Sequence, residues 1–281
     1  TVSLRRLVNY LIDGGIHGIW AAGTTGEFAA LSNEERIVAI ETVVDEAAGR
    51  VPVIGNISAP GTKMAIDIGL STSHIGLDGI AATPPYYFNY AQEELIQHYR
   101  EIRKHVDIPL WVYNIPSTVK IAVDPDTIAQ LAGEGTVVGV KDSSGAGELL
   151  AQLGFLCSQN DIDLHRFIGT VFRIPNTHGI GAHGVIPGIA NLVPTIVVSA
   201  WESGESGDKR KAHSEMTSLM VAAKILTLTN GNGLSASTVS GLKSALKFLG
   251  IIEHDTVTKP LRPLTNKEKK PIPEILSELG L

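Results

Sequence analysis

A chain of 281 residues with 43% hydrophobic and 19% charged residues is long enough to bury a sizeable core. Its 23 Lys and Arg against 29 Asp and Glu give a formal net charge of −6, leaving no cationic excess for nucleic acid or an anionic membrane surface, and no apolar run approaches the roughly 20 residues of a membrane span. The single cysteine, Cys157, has no partner for an internal disulfide and fits a reducing compartment, so a cytoplasmic location is expected.

The chain opens in a helix, because Leu4, Leu7, Val8 and Leu11 recur at helical spacing. Seven short apolar runs follow: His17 to Ala22, Val51 to Ile57, Gly79 to Thr83, Leu110 to Asn114, Val137 to Lys141, Arg166 to Gly169 and Gly184 to Pro187. Each reads as a strand and precedes a stretch of helical periodicity. The helices Asn33 to Ala48, Gln92 to Val106 and Asp124 to Ala132 are the clearest; Ser32 and Glu35 stand at the positions of a capping box for the first, and Pro125 lies in the first turn of the third. The first six runs end 26 to 35 residues apart, the length of a βα unit, which predicts a parallel sheet. Polar residues gather at the C-terminal ends of the runs, and this favours a TIM (β/α)8 barrel over a doubly wound sheet.

Beyond the seventh run the pattern is helical through Lys209 to Leu228, Ser237 to Leu249 and Asn266 to Leu279. The expected organisation is a barrel over residues 1–200 and a C-terminal helical appendage over 201–281, without a linker rich enough in Pro, Gly or polar residues to separate a second domain.

Two strand ends carry chemistry. Lys141 closes Val137-Val-Gly-Val-Lys, so one amine follows four small or apolar residues. A strand-end lysine ordinarily snorkels to solvent, whereas a desolvated one is a nucleophile toward carbonyls. Tyr113 closes Leu110-Trp-Val-Tyr one βα unit earlier, which places a phenol on the neighbouring strand; such a ring either packs or relays protons. After the first run, Gly23-Thr-Thr-Gly-Glu-Phe forms a tight turn able to present N–H groups to a carboxylate, with Glu27 bracing it. It lacks the Gly-Lys-Ser/Thr ending of a phosphate loop. No metal-ligand pattern is found; His178 and His183 share a glycine-rich loop without an accompanying Cys, Asp or Glu set.

Gly-Thr-Thr-Gly-Glu at 23–27, Pro-Pro-Tyr-Tyr at 84–87, Tyr-Asn-Ile-Pro at 113–116 and Gly-Val-Lys-Asp at 139–142, followed by Gly169 and Gly184-Val-Ile, together resemble the pyruvate-dependent class I aldolases of the dihydrodipicolinate synthase and N-acetylneuraminate lyase family. The resemblance implies that Lys141 forms a Schiff base with a 2-keto acid, that Tyr113 shuttles a proton with help from Thr25 and from Tyr87 at a subunit interface, and that Thr24 and Thr25 hold the carboxylate. Ser143, Gly169 and Ile186 fall at substrate-binding positions. It implies no metal or organic cofactor, a small-molecule 2-keto acid and aldehyde as partners, and a homo-oligomer built from dimers. Family members begin with a strand before the helix that here starts at Val2, so the first barrel strand is expected to precede the given sequence, and with it any targeting segment.

Two departures bear on the substrate. Five residues after the motif tyrosine, the synthases carry an Arg that clamps the carboxylate of aspartate semialdehyde; here Thr118 stands there, with Lys120 two residues on. Asp142-Ser143-Ser144 follows Lys141 where synthases usually have Glu-Ala, and this resembles the 2-keto-3-deoxygluconate and 4-hydroxy-2-oxoglutarate aldolases. Ser143 is either a substrate contact or a loop cap, and Arg173 either a contact for a distal carboxylate or an ordinary surface residue. The expected activity is a lyase cleaving or forming a 2-keto-3-deoxy or 4-hydroxy-2-keto acid with pyruvate; the alternatives are the synthase reaction and a catalytically silent sensor or scaffold.

Overall fold

The computed structural model describes residues 1–145, 147–229 and 234–281. In chain order its elements are α1 (Val2–Asp13), β1 (Ile19–Ala21), α2 (Asn33–Ala47), β2 (Val53–Asn56), α3 (Thr62–Thr72), β3 (Gly79–Ala82), α4 (Gln92–His105), β4 (Leu110–Asn114), α5 (Pro116–Val119), α6 (Pro125–Gly133), β5 (Gly139–Asp142), α7 (Glu148–Asn160), β6 (His165–Ile168), β7 (Gly184–Val185), α8 (Pro194–Glu205), α9 (Lys209–Ala223), α10 (Leu234–Phe248), α11 (Asn266–Lys269) and α12 (Ile272–Glu278). All seven expected strands are present, shortened at their ends. The chain divides into two compact units, one of residues Thr1–Val51 with Gly188–Leu281 and the other of Pro52–Pro187.

In the unit Pro52–Pro187, β2 to β7 pair parallel, each with its successor in sequence. A doubly wound sheet reverses its strand order at a switch point; this one does not, and its winding is that of a barrel wall. The register sorts the side chains by face, because residues paired across a parallel ladder point the same way. Ile80, Ala82, Leu110, Val112, Val140 and Ile168 are buried in one cluster with Leu95, Tyr99 and Ile102 of α4, Ile128 and Leu131 of α6, and Leu150 and Leu153 of α7. At about 1.5–3 kcal/mol for each large aliphatic side chain removed from water, this layer is the main source of the unit's stability.

The opposite face alternates large and absent side chains. Trp111 is registered against Gly139, and Phe167 against Gly184. A Cβ on Gly139 would meet the Trp111 ring at 2.5 Å, and one on Gly184 would meet Phe167 at 3.0 Å. The aromatic rings therefore fill space that the neighbouring strands leave empty. Trp111 also stacks on His165, with ring centroids 5.7 Å apart, and lies edge-on to Phe167 at 5.1 Å.

In the other unit, α1 lies against α2, where Arg5 reaches Asp45 at 2.6 Å and Glu46 at 2.8 Å while Asn9 donates to Glu46 at 2.6 Å. The Ser32 hydroxyl accepts from the Glu35 N–H and the Glu35 carboxylate accepts from the Ser32 N–H, the capping box expected for α2. Three helices differ from the sequence reading. The α-helical part of 209–228 ends at Ala223 and tightens into a 3-10 turn, Lys224–Thr227. The stretch 266–279 is two helices, since Pro271 offers no N–H to continue α11 and instead starts α12. Helix α8 runs through residue 200, the expected boundary of the barrel, and shares its unit with the later helices.

Candidate active site

Tyr113 and Lys141 are registered partners on neighbouring strands, β4 and β5, one residue from the C-terminal end of each. Alternation puts both on the face that carries Trp111 and Phe167, away from the aliphatic layer. The lysine is 7% exposed and the tyrosine 2%. Lys141 Nζ stands 4.3 Å from the centroid of the Tyr113 ring, within the range of a cation–π contact. An amine and a phenol are thus held side by side at the end of the sheet, largely out of water.

Gly169, the residue after β6, lies beside them. A Cβ there would run into the Ser143 hydroxyl and come within 3.4 Å of Lys141 Cε. Glycine is needed at 169 because the lysine stem and the serine both close on its Cα. Ser143 and Gly169 are half-buried, and Ile186, also half-buried, follows β7 and donates its N–H to the Ile168 carbonyl at 2.8 Å. The expected residues Tyr113, Lys141, Ser143 and Gly169 therefore come together within one unit.

Tyr87 is placed differently. It is 90% exposed in the loop after β3, with φ of 96° and its ring edge-on to Phe88 at 5.1 Å. Of the six non-glycine residues with positive φ among the described residues, Ala48 and Asp161 end helices, while Ala22, Glu27, Tyr87 and Lys120 lie in the loops after β1, β3 and β4. Such backbone costs about 1–3 kcal/mol per residue and is held where the surroundings demand it.

The other unit contains Thr24 and Thr25, both half-buried, in the turn after β1. Gly188 packs against the Thr25 hydroxyl, which would lie 2.8 Å from a Cβ at that position. Glu27 is buried and braces this turn as expected: its carboxylate accepts from the Thr258 N–H at 2.8 Å and the Thr258 hydroxyl at 2.7 Å, and it pairs with Lys243 of α10.

Thr118 is exposed, and its hydroxyl donates to the Ile115 carbonyl at 3.2 Å. Lys120 Nζ donates to the Ser117 carbonyl at 2.8 Å. The turn after β4 thus ties both side chains to its own backbone. Arg173 is exposed. His178 and His183 form no metal group; no cluster of three or more His, Cys, Asp or Glu able to hold a metal occurs among the described residues. His183 instead sits 2.8 Å from Arg166 Nη2, and burial together with that guanidinium holds its pKa below the ordinary value. No helix among the described residues is long and apolar enough to cross a membrane.

Two residues that the sequence motifs include without a site role stand directly behind Tyr113 and Lys141. Asn114 and Asp142 follow Tyr113 and Lys141 and are themselves registered partners. They point to the helix-facing side, are 1% and 0% exposed, and are joined by a bond from Asn114 Nδ2 to Asp142 Oδ1 at 2.8 Å. The available signal was parity: Leu110, Val112 and Val140 set an aliphatic alternation that Asn114 and Asp142 break.

A curated relative from Trichlorobacter lovleyi described as 4-hydroxy-tetrahydrodipicolinate synthase is 33% identical over 278 residues, covering 99% of this chain and 92% of that protein. An uncharacterized DapA-like lyase from Halobacterium salinarum is 30% identical, covering 96% and 85%. The solved structure of dihydrodipicolinate synthase from Bacteroides thetaiotaomicron superposes with a TM-score of 0.91 at 30% identity, covering 99% of this chain and 92% of that one. The family model for dihydrodipicolinate synthetases matches residues 1–279, and the chain belongs to that family of pyruvate-dependent aldolases with a TIM-barrel-like fold.

Proposed function

We propose that this protein is a Schiff-base lyase that cleaves, or in reverse forms, a 2-keto-3-deoxy or 4-hydroxy-2-keto acid with pyruvate as the three-carbon partner. The observation that carries the reading is the buried, registered pair of Lys141 amine and Tyr113 ring at 4.3 Å. The Lys141 amine adds to the keto carbon and water leaves, giving an imine. Protonated, the imine accepts the electron pair of the breaking C3–C4 bond, and the aldehyde departs as the C4 hydroxyl gives up its proton. The resulting enamine takes a proton at C3, and water then returns the lysine and releases pyruvate. Tyr113 carries protons at these steps. Thr24 and Thr25 have the carboxylate and relay roles that the family resemblance implies, and Ser143, Gly169 and Ile186 shape the space beyond the reacting carbon. Water is the only additional reactant, and the sequence of steps calls on no metal or organic cofactor.

The turn after β4 supports a hydroxylated aldehyde over aspartate semialdehyde, since Thr118 and Lys120 spend their polar groups on Ile115 and Ser117 where the synthases have a guanidinium. The names of the relatives favour a second reading, condensation of pyruvate with aspartate semialdehyde. The proposal also includes a homo-oligomer with Tyr87 at an interface, supported by the exposure of Tyr87 and Phe88.

Borohydride added with pyruvate is expected to fix a pyruvate-derived mass on Lys141; an unlabelled protein would mark a silent scaffold. A panel of pyruvate with glyceraldehyde, glyoxylate, aspartate semialdehyde and N-acetylmannosamine separates the two enzymatic readings. The highest kcat/KM is expected for an aldehyde bearing a hydroxyl or a glyoxylate-like carboxylate, and a highest value for aspartate semialdehyde would establish the second reading instead.

A further inference from the structure

We propose that Asn114 and Asp142 are positioning residues, whose buried side-chain hydrogen bond on the helix-facing side of the sheet keeps Lys141 and Tyr113 in working alignment on the other side; the inference rests on the Schiff-base reading above. The two pairs occupy successive rungs of one ladder, Tyr113 with Lys141 and then Asn114 with Asp142, and the second is the last registered rung between β4 and β5. Past that rung β4 bends into α5 at Pro116 and β5 leads to the loop before α7. The reactive pair therefore sits one residue from where main-chain pairing stops, the part of a ladder most prone to open.

The side chains extend the pairing across that end. Asp142 Oδ1 accepts from Asn114 Nδ2 at 2.8 Å and from the Ser144 N–H at 3.1 Å, while Oδ2 accepts from the Ser144 hydroxyl at 2.8 Å. Asn114 Oδ1 accepts from the Val123 N–H at 3.1 Å. The flanking backbone continues the link, with the Ser143 N–H on the Asn114 carbonyl and the Gly169 N–H on the Asp142 carbonyl, both at 2.7 Å. One carboxylate and one amide thus tie the ends of β4 and β5 to each other and to the turn that carries Ser143, while a backbone bond from Asp142 extends the link to the residue after β6.

Stability alone gives little reason for this choice. A buried carboxylate carries a large desolvation cost, and apolar residues of similar shape are often neutral or better at such places. The same face uses them at Leu110, Val112 and Val140. A departure from the local pattern that coincides with the reactive end of the strands is where function is expected to override packing. Misplacing reacting groups by about 1 Å costs as much as 10²-fold in rate.

The test is a cycle built on Asn114→Leu with Asp142→Leu, which removes the polar pair and restores the aliphatic pattern. The double variant is expected to keep the wild-type Tm within a few degrees and still to trap pyruvate on Lys141 with borohydride, while kcat falls by roughly 10- to 100-fold and KM for pyruvate changes much less. Asp142→Asn, whose amide can still accept from Asn114 and donate to the Ser144 hydroxyl, is expected to rescue most of the loss. In a Tyr113→Phe background the Leu pair is expected to add little, because the alignment it spoils no longer serves a relay. Should the Leu pair fail to fold, Asn114→Ala, which cuts the inter-strand bond and leaves the Ser144 contacts, enters the same cycle. Unchanged kcat in a folded variant, or a loss fully additive with Tyr113→Phe, overturns the inference while wild-type labelling on Lys141 leaves the Schiff-base reading standing. Absence of that label in the wild type overturns the reading and the inference with it.

Discussion

The two faces of β3, β4 and β5 are built from the same backbone and follow opposite rules. On the helix-facing side, Ile80, Ala82, Leu110, Val112 and Val140 form a continuous aliphatic layer against α4, α6 and α7. On the other side, glycine alternates with aromatic rings and the rows end in a tyrosine and a lysine. Parallel strands covered on one side by helices obtain their stability there, which leaves the second face free to carry groups that packing would not choose. The difference teaches that, along the body of the strands, substitutions one residue apart should divide between activity and stability, Asn114 and Asp142 at the strand ends being the helix-side pair expected to act on activity.

The largest expected effect is on activity. Lys141→Met keeps the length of the side chain and removes the amine proposed as nucleophile, so turnover should fall by about 10⁴-fold or more, the scale of losing a covalent nucleophile. Thermal unfolding of the same variant should show a Tm equal to or above that of the wild type, because a nearly buried amine has been replaced by a thioether that needs no partner. A large drop in Tm would mean that the inner face also carries the fold.

Leu110→Ala tests the other face. Leu110 is fully buried and registered with Ile80 in the aliphatic layer, so truncation should cost about 2–5 kcal/mol. Denaturant titration measures that loss, and kcat per folded molecule should stay within about twofold, since the reactive groups point the other way.

His98 of α4 provides the pH-dependent version. Burial lowers its pKa from 6.5 to about 4, an effect that the Thr83 backbone only partly offsets, and its Nδ1 lies 2.9 Å from the Thr62 hydroxyl. The folded protein therefore holds this ring neutral where the unfolded chain protonates it. Between pH 6.5 and 4 the unfolded state binds more protons, so the contribution is complete above 6.5 and is lost as pH falls toward 4, amounting to about 3 kcal/mol. Unfolding free energies measured across that window should fall more steeply for the wild type than for His98→Gln.

Gly139→Ala probes the inner face by adding a methyl group. The new Cβ would lie 2.5–2.7 Å from three atoms of the Trp111 ring, closer than any real contact allows, and should cost about 1–3 kcal/mol through overpacking. Trp111→Leu in the same chain should recover part of that loss, and a double-mutant cycle with strictly additive terms would rule out the ring as its source.

These contrasts were unequally legible in the sequence. Lys141 and Tyr113 stood out because each closes an apolar run, and the unit length placed them on neighbouring strands. Strand positions were readable for the same reason. Gly139 was not recognisable as the partner of Trp111, since that depends on a cross-strand register that a single sequence does not state. Asn114 is readable as the last residue of its run, whereas Asp142 falls one residue beyond Val137 to Lys141 and yet belongs to the ladder, and their pairing depends on the same cross-strand register. Helix α8 is absent from the elements expected from sequence, although Pro194 occupies its first turn, where a missing N–H costs nothing. The periodicity of 266–279 was real and Pro271 still divided it, a case in which a missing donor outweighs pattern.

The smallest effect gives the sharpest comparison, because it uses one chemical change on both faces. Tyr99 and Tyr113 are both almost wholly buried. The Tyr99 hydroxyl, on the helix side, donates to the Ala82 carbonyl at 3.1 Å, and burial raises its pKa so far that it stays a neutral donor at any ordinary pH. Tyr99→Phe removes that bond together with the desolvation of the hydroxyl and leaves one carbonyl less well satisfied, so it should cost about 1 kcal/mol and leave kcat unchanged. Tyr113→Phe, on the inner side, should lose on the order of 10²-fold or more in turnover, the scale of removing the proposed proton relay, with slow borohydride trapping still on Lys141. Paired melting curves and steady-state kinetics of the two variants decide the matter: equal activity losses at both positions would erase the distinction between the faces.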